Sequence, residues 1–133
     1  MRIAVMSDSH DNIWNIRRAI EQIRRMEVQV IIHCGDFVAP FMLKELEQAG
    51  IPVHGVFGNN DGDQHLLTKL ALTELDNITL HGMVGTVDVQ GLKIGFTHLA
   101  EVGEGLACAG RYQMVCYGHT HEYFQQLDVF LVN

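Results

Sequence analysis

The stretch Val28-Gln29-Val30-Ile31-Ile32-His33-Cys34-Gly35-Asp36 decides the fold. Its apolar run is too short for a helix, rich in β-branched residues and closed by a glycine, as expected of a strand buried in a parallel sheet. The polar residues come last, so Asp36 falls at the carboxyl rim of the sheet, where open α/β folds hold their ligands. The next cation along the chain is Lys44, which leaves this carboxylate without a salt-bridge partner nearby. Pro40 then opens a helix that Gly50 stops.

The same pattern repeats on both sides. Residues 2–6 form a short apolar strand that ends at Ser7-Asp8-Ser9-His10, and residues 53–57 form another that ends at Gly58-Asn59-Asn60-Asp61. Between them, Ile13, Ile16, Ile20 and Ile23 fall at helical spacing after Asp11 or Asn12 as N-cap. Leu66, Leu67, Leu70 and Leu75 mark a further helix over 64–75. Three strand–helix steps of this kind predict a parallel sheet with right-handed crossovers. Phe41 and Leu46 are inward candidates of the second helix. Trp14 reads as helix core, or as a wall of the site because it lies four residues past His10.

Beyond residue 77 the texture changes. Residues 78–80, 84–89 and 92–96 are β-like, with Gln90-Gly91 as a hairpin turn. Residues 101–110 carry three glycines and predict a short helix over 106–109 after a flexible Val102-Gly103-Glu104-Gly105 connection. A strand over 114–117 ends at Gly118-His119-Thr120-His121, and a hairpin of 123–126 with 129–132 closes the chain. The whole reads as one α/β domain, 1–133.

Composition narrows the function. Sixteen acidic against nine basic residues give a net charge of -7, which argues against an extended nucleic-acid surface. No apolar run is long enough to span a bilayer. Cys34, Cys108 and Cys116 are an odd number without close pairing, which predicts a reducing, cytoplasmic setting. The eight histidines are the compositional oddity.

Five strand ends carry metal-competent side chains: Asp8 and His10, Asp36, Asn59, His98, and His119 with His121. Alternate residues of an extended segment face one way, so D-x-H and H-x-H each present two donors on one side. Taken singly, most have plainer readings, such as a helix cap for Asp8, turns for Asp36 and Asn59, and a rim histidine for His98. Jointly, carboxylate, imidazole and amide donors suit manganese, iron or zinc better than calcium, and Asp36 is placed to bridge two ions. His33, His54, His65 and His81 are assigned to packing or surface, and Cys34 to a small buried thiol.

Asp8-x-His10, Gly35-Asp36, Gly58-Asn59-Asn60-Asp61, Thr97-His98 and Gly118-His119-Thr120-His121 together resemble the calcineurin-like metallophosphoesterase family over residues 3–133, especially its small bacterial and archaeal phosphodiesterases. The resemblance implies a four-layer α/β/β/α sandwich. It also implies two divalent metals, manganese being expected and iron, nickel, cobalt or zinc compatible. Asp8, His10, Asp36 and His121 would hold one, and Asp36, Asn59, His98 and His119 the other, with Asn59 and His98 counted as catalytic as well. A hydroxide bridging metals about 3.5 to 4 Å apart would attack a small phosphodiester substrate.

Three departures qualify the resemblance. Asn60 stands where many members have a leaving-group histidine, a loss worth about 10²- to 10⁴-fold. Leu99-Ala100 replaces Gly-His, and relatives continue past Asn133 with further strand. The last point predicts a shortened second sheet whose exposed edge would suit a homo-oligomer. The alternatives are an inert scaffold of the same fold, like the retromer subunit that resembles this family, and one structural zinc held by His119, His121 and a cysteine.

Overall fold

The computed structural model describes residues 1–126 of the 133. Strands β1 (Ile3–Met6), β2 (Val30–His33), β3 (Val53–Gly55) and β4 (Ile78–Leu80) form one sheet in that order, all parallel. Helices α1 (Ile13–Arg25), α2 (Phe41–Glu47) and α3 (Gln64–Thr73) connect them and pack in sequence, α1 on α2 and α2 on α3. All three lie on the same face, as successive crossovers of one hand require.

The two-residue period of a strand explains the layering. Every residue of β2 is buried, yet Ile31 joins the core with Ile16, Ile20, Leu43 and Leu67 of the helices, whereas Ile32 joins a second core with Val56, Ile94, Phe96 and Cys116. One strand thus serves two interfaces, which is why its sequence is continuously apolar rather than alternating.

The second interface is made with a smaller sheet of β5 (Val84–Val89), β6 (Leu92–Thr97) and β7 (Met114–Cys116), in that order. β5 and β6 are an antiparallel hairpin whose turn residues Gln90 and Gly91 both have positive φ, 55° and 88°, the backbone that a tight two-residue turn requires. β7 runs parallel to β6, so α4 (Ala100–Cys108) is the crossover between them and packs on both. Two sheets between helical layers are the predicted α/β/β/α arrangement.

Several expectations need correction. Residues 101–110 are not a flexible connection before a short helix, because α4 runs from Ala100 to Cys108. Gly103 is there for proximity: a Cβ on it would stand 2.8 Å from the Tyr117 ring. Trp14 is not core, being 73% exposed on α1, since the Ile16, Ile20, Ile23 stripe already fills the buried face. Phe41 is 42% exposed at the start of α2, where Met42, Leu43 and Leu46 are buried instead, and Leu66 yields to Leu67 in the same way. Residues 123–126 form no strand, and the predicted partner 129–132 lies outside the described residues. Between the two N-cap candidates, Asn12 caps α1, accepting from the Asn15 amide at 3.0 Å.

Candidate metal centre

The loops that leave β1 and β2 stay paired beyond the strands. The amides of Asp8 and His10 donate to the carbonyls of Gly35 and Asp36, at 3.0 and 3.1 Å. The loops after β6 and β7 do likewise, Gly118 donating to the His98 carbonyl at 3.0 Å. Four segments far apart in sequence therefore converge on one rim.

The backbone is turned sharply to aim the side chains inward. Asp8, His10, Asp36, His119 and His121 all have φ between 40° and 72°, a left-handed conformation uncommon for residues other than glycine and concentrated at functional sites. Two glycines make room. A Cβ on Gly58 would lie 2.1 Å from Asp36 Oδ1, and one on Gly118 would lie 2.7 Å from Asp8 Oδ2.

All seven residues singled out in the sequence meet here. On one side His121 Nε2 lies 3.3 Å and His10 Nε2 3.6 Å from Asp8 Oδ1. On the other, Asn59 Oδ1 lies 2.8 Å from His98 Nε2 and 3.0 Å from His119 Nδ1. Asp36 stands between: its Oδ2 is 3.2 Å from His10 Nε2 and 3.6 Å from His98 Nε2. Asp8 reaches across as well, because one of its oxygens lies within 4.8 Å of the donor atoms of Asp36 and His98.

The donor set fits cations. His98 Nδ1 lies 2.8 Å from the Cys34 carbonyl, which can only accept, so Nδ1 carries the proton and Nε2 presents a lone pair. That lone pair points among Asn59 Oδ1, His119 Nδ1 and Asp36 Oδ2, all of which lie within 3.6 Å of it. A histidine whose other ring nitrogen is held by a backbone carbonyl is the usual arrangement of a metal ligand. Asp8 Oδ1 adds to this, being buried with no hydrogen-bond partner, a condition that is costly unless positive charge is nearby.

Burial acts most strongly on the Asp8 carboxyl and opposes ionisation. The Ser7 hydroxyl, the His119 amide, and the positive charge that His98 and His121 carry when protonated together outweigh it, leaving the pKa lowered. Asp8 is thereby kept as a carboxylate.

The sequence gives no sign of the residue that fastens these loops. Asp61 is buried and its carboxylate accepts three backbone amides: Asp36 at 3.0 Å, Val38 at 2.7 Å and Gly58 at 2.7 Å. Its neighbour Asn60 holds the Asp36 carboxylate with its amide N–H at 2.8 Å and its side-chain Nδ2 at 2.7 Å. A turn-like Asn-Asn-Asp string conceals both tasks, because every partner except Gly58 lies more than twenty residues away.

The remaining histidines sit apart from the donor set. His33 is fully buried, stacked on Phe37, with Nε2 facing the Ser9 hydroxyl at 3.1 Å and Nδ1 accepting from the Gly35 amide. Burial depresses its pKa to about 3, so it stays neutral and works as a spacer between the loops. His54 and His81 pair with each other at 3.0 Å, and burial lowers both. His65 is exposed on α3. Trp14 does not line the cleft beside Asp8, His10 and His121. Neither Asp/His group among the described residues includes a cysteine, and Cys34 and Cys116 are buried in the inter-sheet core, which removes the basis for a structural zinc with a thiolate.

The calcineurin-like phosphoesterase superfamily domain matches residues 1–133. Phosphodiesterase MJ0936 of Methanocaldococcus jannaschii is 39% identical over 135 aligned positions, which cover 99% of this chain and 81% of the relative. A solved structure described as a novel archaeal phosphodiesterase superposes with a TM-score of 0.83 at 38% identity, covering 96% of this chain and 79% of the other. Vacuolar protein sorting 29 from Cryptosporidium parvum shares the fold, with a TM-score of 0.64 at 15% identity over 94% of this chain and 68% of the other.

Proposed function

Because the chain belongs to the calcineurin-like phosphoesterase superfamily, we propose that it is a hydrolase that cleaves phosphodiesters with two divalent cations held at the rim of its sheets. The supporting observation is the cluster of oxygen and nitrogen atoms around His98 Nε2 together with the unpartnered Asp8 Oδ1.

In this reading Asp8, His10, Asp36 and His121 hold one cation, while Asp36, Asn59, His98 and His119 hold the other. When bound, the pair supplies positive charge to the phosphoryl oxygens and acidifies the attacking water. The chain's own part is placement. Asp61 fixes the Asp36 main chain and Asn60 its carboxylate between the two groups, and the Cys34 carbonyl fixes the tautomer of His98. Asn60 spends its side-chain N–H on Asp36 and carries no proton at neutral pH to give to a departing alkoxide. Diesters with good leaving groups are therefore favoured over alkyl esters. Manganese suits the mixed oxygen and nitrogen donors, and three free cysteines among the described residues support a reducing compartment.

The scaffold alternative gains nothing from the geometry, since a scaffold has no need of five left-handed ligand candidates at one rim. Hydrolysis of bis(p-nitrophenyl) phosphate by the manganese-loaded protein, with about two ions bound per chain, is the expected result. Absence of turnover with manganese, nickel, cobalt and iron alike would overturn the catalytic reading.

A further inference from the structure

A second feature adjoins the centre. Met83 just before β5 and Val84 at its start, with Leu99 and Val102 from the start of α4, wall a cleft of about 80 Å³ that ends on Asn59 and His98. Three of these four side chains are well exposed for apolar groups, Met83 at 55%, Val84 at 41% and Val102 at 39%. The walls are held in place from beneath. The Thr97 hydroxyl donates to the Met83 carbonyl at 3.0 Å, and the Val84–Thr97 pair closes the β5–β6 ladder.

We propose that this cleft seats one ester group of the substrate, and that the group is apolar and about the size of a single aromatic ring. The proposal rests on the phosphodiesterase reading. A phosphoryl group lying against Asn59 and His98 can project one substituent toward Leu99, because the cleft adjoins those two residues. The one hydroxyl at its wall, on Thr97, already donates its hydrogen to the Met83 carbonyl. A sugar attached at that oxygen would find few partners for its hydroxyls, whereas an aryl group would cover apolar surface. The volume is below the roughly 150 Å³ cavity that encloses benzene, so a slot of this size, open on one side, seats one flat ring edge-on.

Leu99 provides a clean test. It is the N-cap of α4 and makes no side-chain capping bond, so Leu99→Ser removes the apolar wall while adding a preferred capping hydroxyl. The fold is therefore expected to survive, which the melting temperature verifies. Phenyl p-nitrophenyl phosphate and methyl p-nitrophenyl phosphate share a leaving group and differ in the other arm. The wild-type chain is expected to prefer the phenyl ester by about tenfold in KM, and Leu99→Ser to bring that ratio close to one.

Binding is read separately by methyl NMR of the zinc-loaded chain with diphenyl phosphate and with dimethyl phosphate. Shifts at Val84, Leu99 and Val102 with the phenyl ester alone support the seat. If both p-nitrophenyl esters are turned over equally, or the two probes shift the same methyls equally, the seat is wrong while the reaction stands. If neither ester is hydrolysed yet the phenyl-dependent shifts appear, the reaction is wrong while the seat stands. An unchanged phenyl-to-methyl ratio in Leu99→Ser also overturns the proposal.

Discussion

Asp61 is the most consequential residue outside the donor set, and its removal can be worked through. Its carboxylate accepts the amides of Asp36, Val38 and Gly58. Asp61→Ala leaves three N–H groups without partners in a region where Asp36 is only 1% exposed. An unsatisfied buried donor costs about 1 to 3 kcal/mol. Partial entry of water into the space left by the side chain reduces the total, so about 3 to 6 kcal/mol is expected.

Asp61→Asn is the informative companion. Oδ2 serves Asp36 and Gly58 and Oδ1 serves Val38, so an amide can keep its oxygen toward the first two and lose only the third. Its loss should be about 1 to 3 kcal/mol. Thermal unfolding should place the alanine variant more than about 10 °C below the parent and the asparagine variant between them. Hydrogen exchange at the Asp36, Val38 and Gly58 amides should accelerate in alanine, but chiefly at Val38 in asparagine. If alanine unfolds within about 1 kcal/mol of the parent, or the two variants are indistinguishable, the clamp is not what holds Asp36.

Other consequences follow from the same contacts. Asp36→Asn, which removes the shared carboxylate charge, should lower the metal content from about two ions per chain to less than one, measured by elemental analysis of dialysed protein. Gly58→Ala puts a Cβ 2.1 Å from Asp36 Oδ1; it should reduce manganese affinity at least tenfold, read by titration calorimetry, with a smaller effect on the melting temperature than Asp61→Ala. The pH dependence of the metal-free chain is set in part by His33. Its pKa is lowered from 6.5 to about 3 by burial, so between those values the unfolded chain binds a proton that the folded chain does not. Its contribution is fully present above pH 6.5 and lost progressively as pH falls toward 3. His54 and His81 act in the same direction, and urea titrations at pH 7 and pH 5 should show the lower stability at pH 5.

The parallel half of the fold was legible because it rests on simple periods, two for strands and 3.6 for helices, and the seven candidate ligands because polar residues follow the strand ends. What escaped rests on three-dimensional neighbours. Trp14 and Phe41 are as apolar as the residues that are buried, and only the direction of the α1 and α2 stripes places them outward. The glycines of α4 suggest flexibility in sequence, yet Gly103 is needed so that the helix can approach Tyr117. Asp61 was hidden for a different reason: its partners are main-chain amides, which leave no residue-type signature.

The left-handed backbone was also beyond reach, since Asp8, His10, Asp36, His119 and His121 are ordinary residues until their φ values are seen. Each such residue costs on the order of 1 kcal/mol or more unless its surroundings impose it. The same five bring carboxylates and imidazoles into mutual contact, Asp36 with His10 and Asp8 with His121. Local geometry therefore works against the arrangement, while the paired loops and the Asp61 clamp enforce it. A cation that binds only the folded chain stabilises it by mass action, and here it would engage the carboxylates and the imidazole nitrogens together. The rim should accordingly be the least protected part of the sheets in chelator-treated protein and among the most protected once manganese is restored. Equal exchange at Asp8, Asp36 and His119 in the two states would mean that these residues do not meet around an ion.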